Sequence, residues 1–191
     1  MTLREQLIIA LVAALAVQRL VELALSKRWL RATREADSAE PIPERLFPFI
    51  VVLHAAWLAG CLAEPLLLAR PFHAWVLWPM TALWLAALAL RFWMLSTLGR
   101  LWNVRLIRRR NQPVITSGPY RFLRHPNYLA LIVEIAAVPL MVGAYWTALL
   151  GSVANAIVLA LRIRSEEAYL FGFPAYRAAF GDKKRLLPGV F

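Results

Sequence analysis

Five apolar stretches constrain this chain more than any other feature of its sequence. They occupy residues 7–25, 46–68, 74–95, 128–142 and 145–161. The hydrocarbon core of a bilayer is about 30 Å thick, and a helix needs about 20 apolar residues to cross it. Because 61% of the 191 residues are hydrophobic and only 17% are charged, we predict an all-α, polytopic membrane bundle of about five transmembrane helices. We expect one integral-membrane domain over residues 1–191.

The distribution of basic residues predicts how these helices are oriented. Nineteen of the 22 Lys and Arg residues fall in the segments 27–45, 91–124 and 162–191, which such a bundle places on one side. Cytoplasmic loops of membrane proteins carry an excess of Lys and Arg. We therefore expect the N-terminus outside and the C-terminus in the cytoplasm. The composition, rich in Ala, Leu and Arg, favours a bacterial inner membrane. Topology then accounts for the net charge of +11, and no nucleic-acid-binding module is visible.

The connecting segments carry their own predictions. Residues 32–43 contain acidic side chains and two prolines, and we interpret them as a solvated connector. Residues 99–116 are basic without helical periodicity, which indicates a loop or a short interfacial helix. Only Gly143 and Ala144 separate the last two apolar stretches, so these should form a tight antiparallel hairpin.

Two polar clusters flank this hairpin. The run SGPYRFLRHPNY precedes it at residues 117–128, and RIRSEE follows it at residues 162–167. In the first cluster, Gly118 allows close backbone approach to a ligand, and His125 adds a hydrogen-bond donor or acceptor. In the second, two adjacent glutamates end a membrane span, where carboxylates are costly to desolvate unless they are paired. We expect the clusters to meet at one membrane face and to form a ligand site.

The ordered clusters around a helical hairpin resemble the C-terminal signature of isoprenylcysteine carboxyl methyltransferases. The resemblance rests on GPYR at 118–121, RHPNYL at 124–129 and RSEE at 164–167. It implies an integral-membrane enzyme that uses S-adenosylmethionine, with the cofactor-binding region at about 98–188. It also implies cofactor contacts from seven residues, namely Gly118, Tyr120, His125, Pro126, Tyr128, Glu166 and Glu167.

The same resemblance implies that Arg164, together with Arg162, faces a lipophilic methyl acceptor. A prenylated cysteine carboxylate is one such acceptor. Residues 98–120 are closer to bacterial members associated with O-methylation of alkylpyrones and alkylresorcinols, so a long-chain phenol or enol is equally open. Besides the acceptor, we expect membrane lipids as partners and no nucleic acid.

A phenolic acceptor needs a general base, and Glu134, Glu167 and His125 are the candidates. For Glu134, in the fourth apolar stretch, a structural hydrogen bond is the alternative to a catalytic role. Arg19 and Glu22 are three residues apart in the first stretch, so we expect them to pair with each other or with a neighbouring helix.

Two other functions fit the same layout. A membrane reductase resembling steroid 5-alpha-reductases would bind NADPH within a related helical architecture. A non-enzymatic membrane scaffold would use the polar clusters to contact lipid headgroups. A metal site is not expected, because His54 and His73 have no second ligand at a metal-binding spacing. Binding of S-adenosylmethionine or of NADPH distinguishes these alternatives.

Overall fold

Six α-helices dominate the computed structural model, which describes residues 1–37, 39–68, 70, 73–109 and 113–186, with the backbone alone at 35–37. The helices are α1 (Leu3–Asp37), α2 (Phe47–Leu67), α3 (Ala74–Leu98), α4 (Pro126–Val142), α5 (Tyr145–Leu170) and α6 (Pro174–Phe180). Single 3₁₀ turns occupy Gly99–Leu101 and Gly118–Arg121. Two-residue strands β1 (Glu40–Pro41) and β2 (Ile107–Arg108) pair antiparallel. The predicted helical membrane fold is confirmed.

The long helices surround a short central one. In the described part of the chain, α1, α2, α3 and α5 are long and apolar enough to cross a membrane, whereas α4 has 17 residues. The outer helices expose large apolar side chains such as Leu20, Val51 and Phe92, as expected for surfaces that face lipid. Helix α4 is instead mostly buried and packs against both α3 and α5. The polar clusters at its start and at the end of α5 are thereby brought together.

Glu64 of α2 fixes the far end of the α4–α5 hairpin. Its carboxylate accepts hydrogen bonds from the backbone N–H of Trp146 at 3.0 Å and of Thr147 at 2.8 Å. It also accepts one from Thr147 Oγ1 at 2.8 Å. The first N–H groups of a helix have no partner within the helix, so Glu64 caps α5 from a neighbouring helix. The cap joins α2 to the hairpin at the end opposite the polar clusters.

Several segments differ from the sequence-based expectation. Helices α1 and α5 continue beyond residues 25 and 161 to Asp37 and Leu170, because the Arg, Glu, Ala and Leu residues that leave the membrane are still good helix formers. The interpretation of residues 32–43 as a solvated connector is therefore right only in part, because Ala32, Arg34 and Glu40 are exposed but the segment also forms regular structure. That segment contains the end of α1, the fully buried Ala39 and strand β1, while Ser38 lies outside the described residues.

The other loop predictions hold in part. Residues 99–116 form a loop with a 3₁₀ turn and strand β2, as expected, and residues 110–112 lie outside the described residues. Arg91 belongs to α3, where its side chain is buried, and not to a cytoplasmic loop. Eighteen basic residues then remain in the segments that were assigned to the cytoplasm.

Candidate active site

A cavity of about 530 Å³ connects the polar clusters with the interior of the bundle. Its polar end is lined by Tyr120, His125, Tyr128, Arg162 and Glu166. Apolar side chains of α1 and α2 line part of the remaining wall, and two of these, Leu20 and Val51, are 65% and 50% exposed on the lipid-facing surface. The cavity is thus bounded by the polar clusters at one end and by lipid-facing side chains along one side.

Tyr128, Glu166 and Arg162 form a connected group in the cavity wall. Tyr128 Oη donates a hydrogen bond to Glu166 Oε2 at 2.5 Å and accepts one from Arg162 Nε at 3.0 Å. Arg162 and Glu166 are four residues apart, so they lie on the same face of α5. Arg162 Nη2 also donates to the carbonyl of Val104 at 2.5 Å and lies 3.7 Å from Glu44 Oε2. These contacts hold the guanidinium and the carboxylate in fixed positions.

Glu167 points away from the cavity and ties two chain segments together. It accepts hydrogen bonds from Arg124 Nη1 at 3.1 Å and from Arg185 Nε at 2.9 Å, and its Oε1 lies 3.2 Å from His125 Nε2. The backbone repeats the connection, since the N–H of Arg124 donates to Lys184 O and that of His125 to Arg185 O, both at 3.0 Å. Glu167 therefore positions His125 from the side that faces away from the cavity.

Aromatic rings from two elements enclose the polar end. Tyr120 comes from the 3₁₀ turn, and Tyr176 and Phe180 come from α6, where their rings stack with centroids 4.6 Å apart. Burial, together with the nearby Glu166 carboxylate, raises the pKa of Tyr120 and of Tyr176. Both phenols consequently stay protonated at neutral pH and can donate hydrogen bonds.

Some of the predicted site residues line the cavity, and others do not. The cavity wall contains Tyr120, His125, Tyr128, Arg162 and Glu166. Gly118 serves packing, because its φ is +58° and an added Cβ would lie 2.2 Å from Thr97 Oγ1. Pro126 is buried as the first residue of α4. Arg164 is exposed on α5 and does not line the cavity, so the structure does not bring it to the site as predicted.

Glu134 lies in a buried network of charges. Arg19 and Arg91 both donate to Glu134 Oε2, and both also reach Glu22, at 2.8 Å from Arg19 Nη1 and at 3.2 Å from Arg91 Nη1. The expected pairing of Arg19 with Glu22 is confirmed. Glu134 is 1% exposed and absent from the cavity wall, which disagrees with its prediction as a catalytic residue and agrees with the structural alternative.

Sequence reasoning missed three polar side chains near the cavity. Glu44 follows β1, accepts a hydrogen bond from the Leu106 N–H at 2.6 Å and lies beside Arg162. Trp102 and Asn155 are buried and line the wall. An asparagine inside an apolar helix was a usable signal for a site, whereas Glu44 becomes a neighbour only through tertiary packing.

Comparison with known proteins agrees with this geometry. Residues 78–172 match the isoprenylcysteine carboxyl methyltransferase (ICMT) family. An uncharacterised protein of Bacillus subtilis (strain 168), YpbQ, is 33% identical over 160 residues, which cover 84% of this chain and 94% of that protein.

Two further relatives carry names that refer to metal resistance. The cobalt-zinc-cadmium resistance protein CzcN of Cupriavidus metallidurans is 32% identical over 114 residues, or 56% of this chain and 51% of that protein. The nickel-cobalt-cadmium resistance protein NccN of Alcaligenes xylosoxydans xylosoxydans is 33% identical over 114 residues, covering 56% and 52%. This chain thus spans about half the length of both. Its described residues contain no group of three or more His, Cys, Asp or Glu side chains that could hold a metal ion.

The family match covers the part of the chain that forms the polar end of the cavity. Residues 78–172 include α4, α5, both polar clusters, and Arg162 and Glu166 in the cavity wall. The chain therefore belongs to the isoprenylcysteine carboxyl methyltransferase family and is an integral-membrane methyltransferase.

Proposed function

We propose that the protein transfers a methyl group from S-adenosylmethionine to a lipophilic acceptor at the cytoplasmic face of a bacterial inner membrane. The observation that carries this proposal is the single cavity that joins Arg162, Tyr128 and Glu166 to the lipid-exposed Leu20 and Val51. A water-soluble donor and a membrane-dissolved acceptor need such a shared space, closed to bulk water where they meet.

The polar end suits S-adenosylmethionine, which when bound supplies a methyl group activated by a sulfonium. The Glu166 carboxylate can accept from ribose hydroxyls or an ammonium group, and the rings of Tyr120 and Tyr176 suit a flat adenine or a cation. Trp102 Nε1 and Asn127 Oδ1 line the same cavity and are buried, and neither has a hydrogen-bond partner among the described residues. One unpartnered donor and one unpartnered acceptor support a polar ligand here.

Arg162 is our choice for the residue that holds the acceptor oxygen. Its Nε and Nη2 are used by Tyr128 and Val104, while its Nη1 has no hydrogen-bond partner among the residues that the structure describes. A carboxylate acceptor is already ionised and needs no base. A phenol does, and among Glu134, Glu167 and His125 only His125 lines the cavity. His125 Nε2 already lies 3.2 Å from Glu167 Oε1, so we favour a lipid carboxylate as the acceptor over an alkylresorcinol.

Calorimetric titration of the purified protein with S-adenosylmethionine and with NADPH tests the proposal. We expect saturable binding of the first and none of the second. Glu166→Gln and His125→Ala should each weaken binding about tenfold, since a hydrogen bond to a charged group contributes about 1.5–3 kcal/mol. Arg164→Gln, on the exposed side of α5, is the control and should bind as the wild type does. NADPH binding without S-adenosylmethionine binding would favour a reductase instead.

A further inference from the structure

The inner end of the cavity is polar, although it lies within the membrane-spanning part of the bundle. Arg19 and Glu22 of α1, His54 of α2, Arg91 of α3 and Asn155 of α5 all line it. Ionisable groups inside membrane spans are rare and costly, and they commonly mark the path of a polar ligand. Five polar side chains from four helices therefore require an explanation beyond packing.

The charges of this region already balance. Arg19 and Arg91 each contact both Glu22 and Glu134, so two guanidinium groups and two carboxylates form a neutral cluster. A further anion or cation would leave one charge unpaired in a medium of low dielectric constant, which is strongly unfavourable. An uncharged polar group avoids that cost.

The hydrogen-bonding groups at the inner end that the ion pairs do not use include both donors and acceptors. The Nε–H groups of Arg19 and Arg91 have no acceptor among the described residues. His54 Nδ1 lies 2.8 Å from the carbonyl of Ile50, so that nitrogen carries the proton and Nε2 is left as an acceptor. The Asn155 amide offers both kinds of group. A hydroxyl, which donates and accepts at once, matches this combination.

The distance between the two polar ends follows from helix geometry. Asn155 and Arg162 are seven residues apart in α5, which is about 10 Å along the helix axis. Between them, the apolar side chains of Val158 and Leu159 line the wall. A ligand that occupies the whole length must therefore be apolar between two polar positions.

We propose that the inner end, formed by Arg19, Arg91, His54 and Asn155, binds a hydroxyl on the acceptor's chain about 10 Å from the oxygen that is methylated. The acceptor is then an oxygenated lipid and not a plain hydrocarbon chain. This inference rests on the proposed function for the assignment of the outer end.

Three fatty acids of equal length test the inference by binding alone. Octadecanoate, 10-hydroxyoctadecanoate and 18-hydroxyoctadecanoate are titrated into the purified protein in detergent, with and without S-adenosylmethionine. The hydroxyl at carbon 10 lies at the required spacing in an extended chain, and the hydroxyl at carbon 18 does not. We expect 10-hydroxyoctadecanoate to bind about tenfold more tightly than the other two, which is the gain expected from one or two hydrogen bonds.

Two variants assign the preference to the inner end. Asn155→Leu and His54→Phe remove its polar groups without touching the ion pairs, and each should reduce the preference to about threefold or less. Thermal unfolding verifies that both variants are folded. Equal binding of the three acids by the wild-type protein, a preference that survives in both variants, or failure to bind any of the acids would overturn the inference. If the proposed function is wrong, S-adenosylmethionine itself does not bind, and that result is distinct from the binding of the three acids.

Discussion

Two arginines that stand two residues apart in α5 have different surroundings. Successive residues of an α-helix are about 100° apart around its axis, so Arg162 and Arg164 point in widely different directions. Arg162 faces Tyr128 and the cavity, whereas Arg164 is exposed. The spacing of four between Arg162 and Glu166 was the signal in the sequence that could have selected the arginine that lines the cavity.

Arg162→Lys should abolish most turnover and leave S-adenosylmethionine binding within about threefold of the wild type. Lysine keeps the charge but cannot bridge Tyr128, Val104 and an acceptor oxygen at once, because it lacks the planar fork of donors. Arg164→Lys is the matched control and should retain wild-type kcat. Initial rates at saturating donor measure the difference. Equal rates in the two variants would remove Arg162 from the proposed role.

Gly118→Ala should destabilise the protein by about 1–3 kcal/mol, the usual cost of overpacking. The new Cβ would lie 2.2 Å from Thr97 Oγ1, at a residue whose φ of +58° already disfavours a side chain. Thr97→Ala in the same chain removes the clash and should restore part of the loss, with Thr97→Ala alone as the control. Unfolding in detergent measures all three variants. No rescue in the double variant would assign the cost to backbone strain alone.

The membrane crossings were predictable because hydrophobicity alone determines them. The ends of α1 and α5 were not, since an apolar window stops where the membrane stops while the helix continues to Asp37 and Leu170. The contact between the two polar clusters was also predictable, because they precede and follow the same helical hairpin. The Glu134 network and the Glu64 cap depend on which helices pack together, which a single sequence does not specify.

Glu64→Gln should lower stability by about 1 kcal/mol, the typical value of a helix cap. The amide that replaces the carboxylate has one acceptor oxygen for three donors, from Trp146 and Thr147. Glu40→Gln, at an exposed position of β1, is the control. Thermal unfolding in the same detergent should show a lower Tm for Glu64→Gln only. An unchanged Tm would mean that α5 needs no cap from α2.

For the whole molecule, the arrangement of the helices and the basic residues predicts the topology. Helices α1 to α5 place the N-terminus and the loop at Arg70 on one side, and the polar clusters and C-terminus on the other. A reporter that works only outside the cytoplasm should therefore be active when it is fused at Arg70. A reporter that works only inside the cytoplasm should be active when it is fused at the C-terminus. Cytoplasmic activity of the fusion at Arg70 would reverse the orientation and place the cavity mouth away from the cytoplasmic donor.

Transfer of a labelled methyl group is the direct test of the proposed methyltransferase activity. Purified protein in detergent is incubated with S-adenosylmethionine labelled in its methyl group and with a prenylated cysteine analogue, a long-chain alkylresorcinol or a lipid extract. We predict that label enters the organic phase with the wild-type protein and with Arg164→Lys, and falls at least about a hundredfold with Arg162→Lys. No label in the organic phase from any acceptor, with a folded wild-type protein, would contradict the proposed methyl transfer.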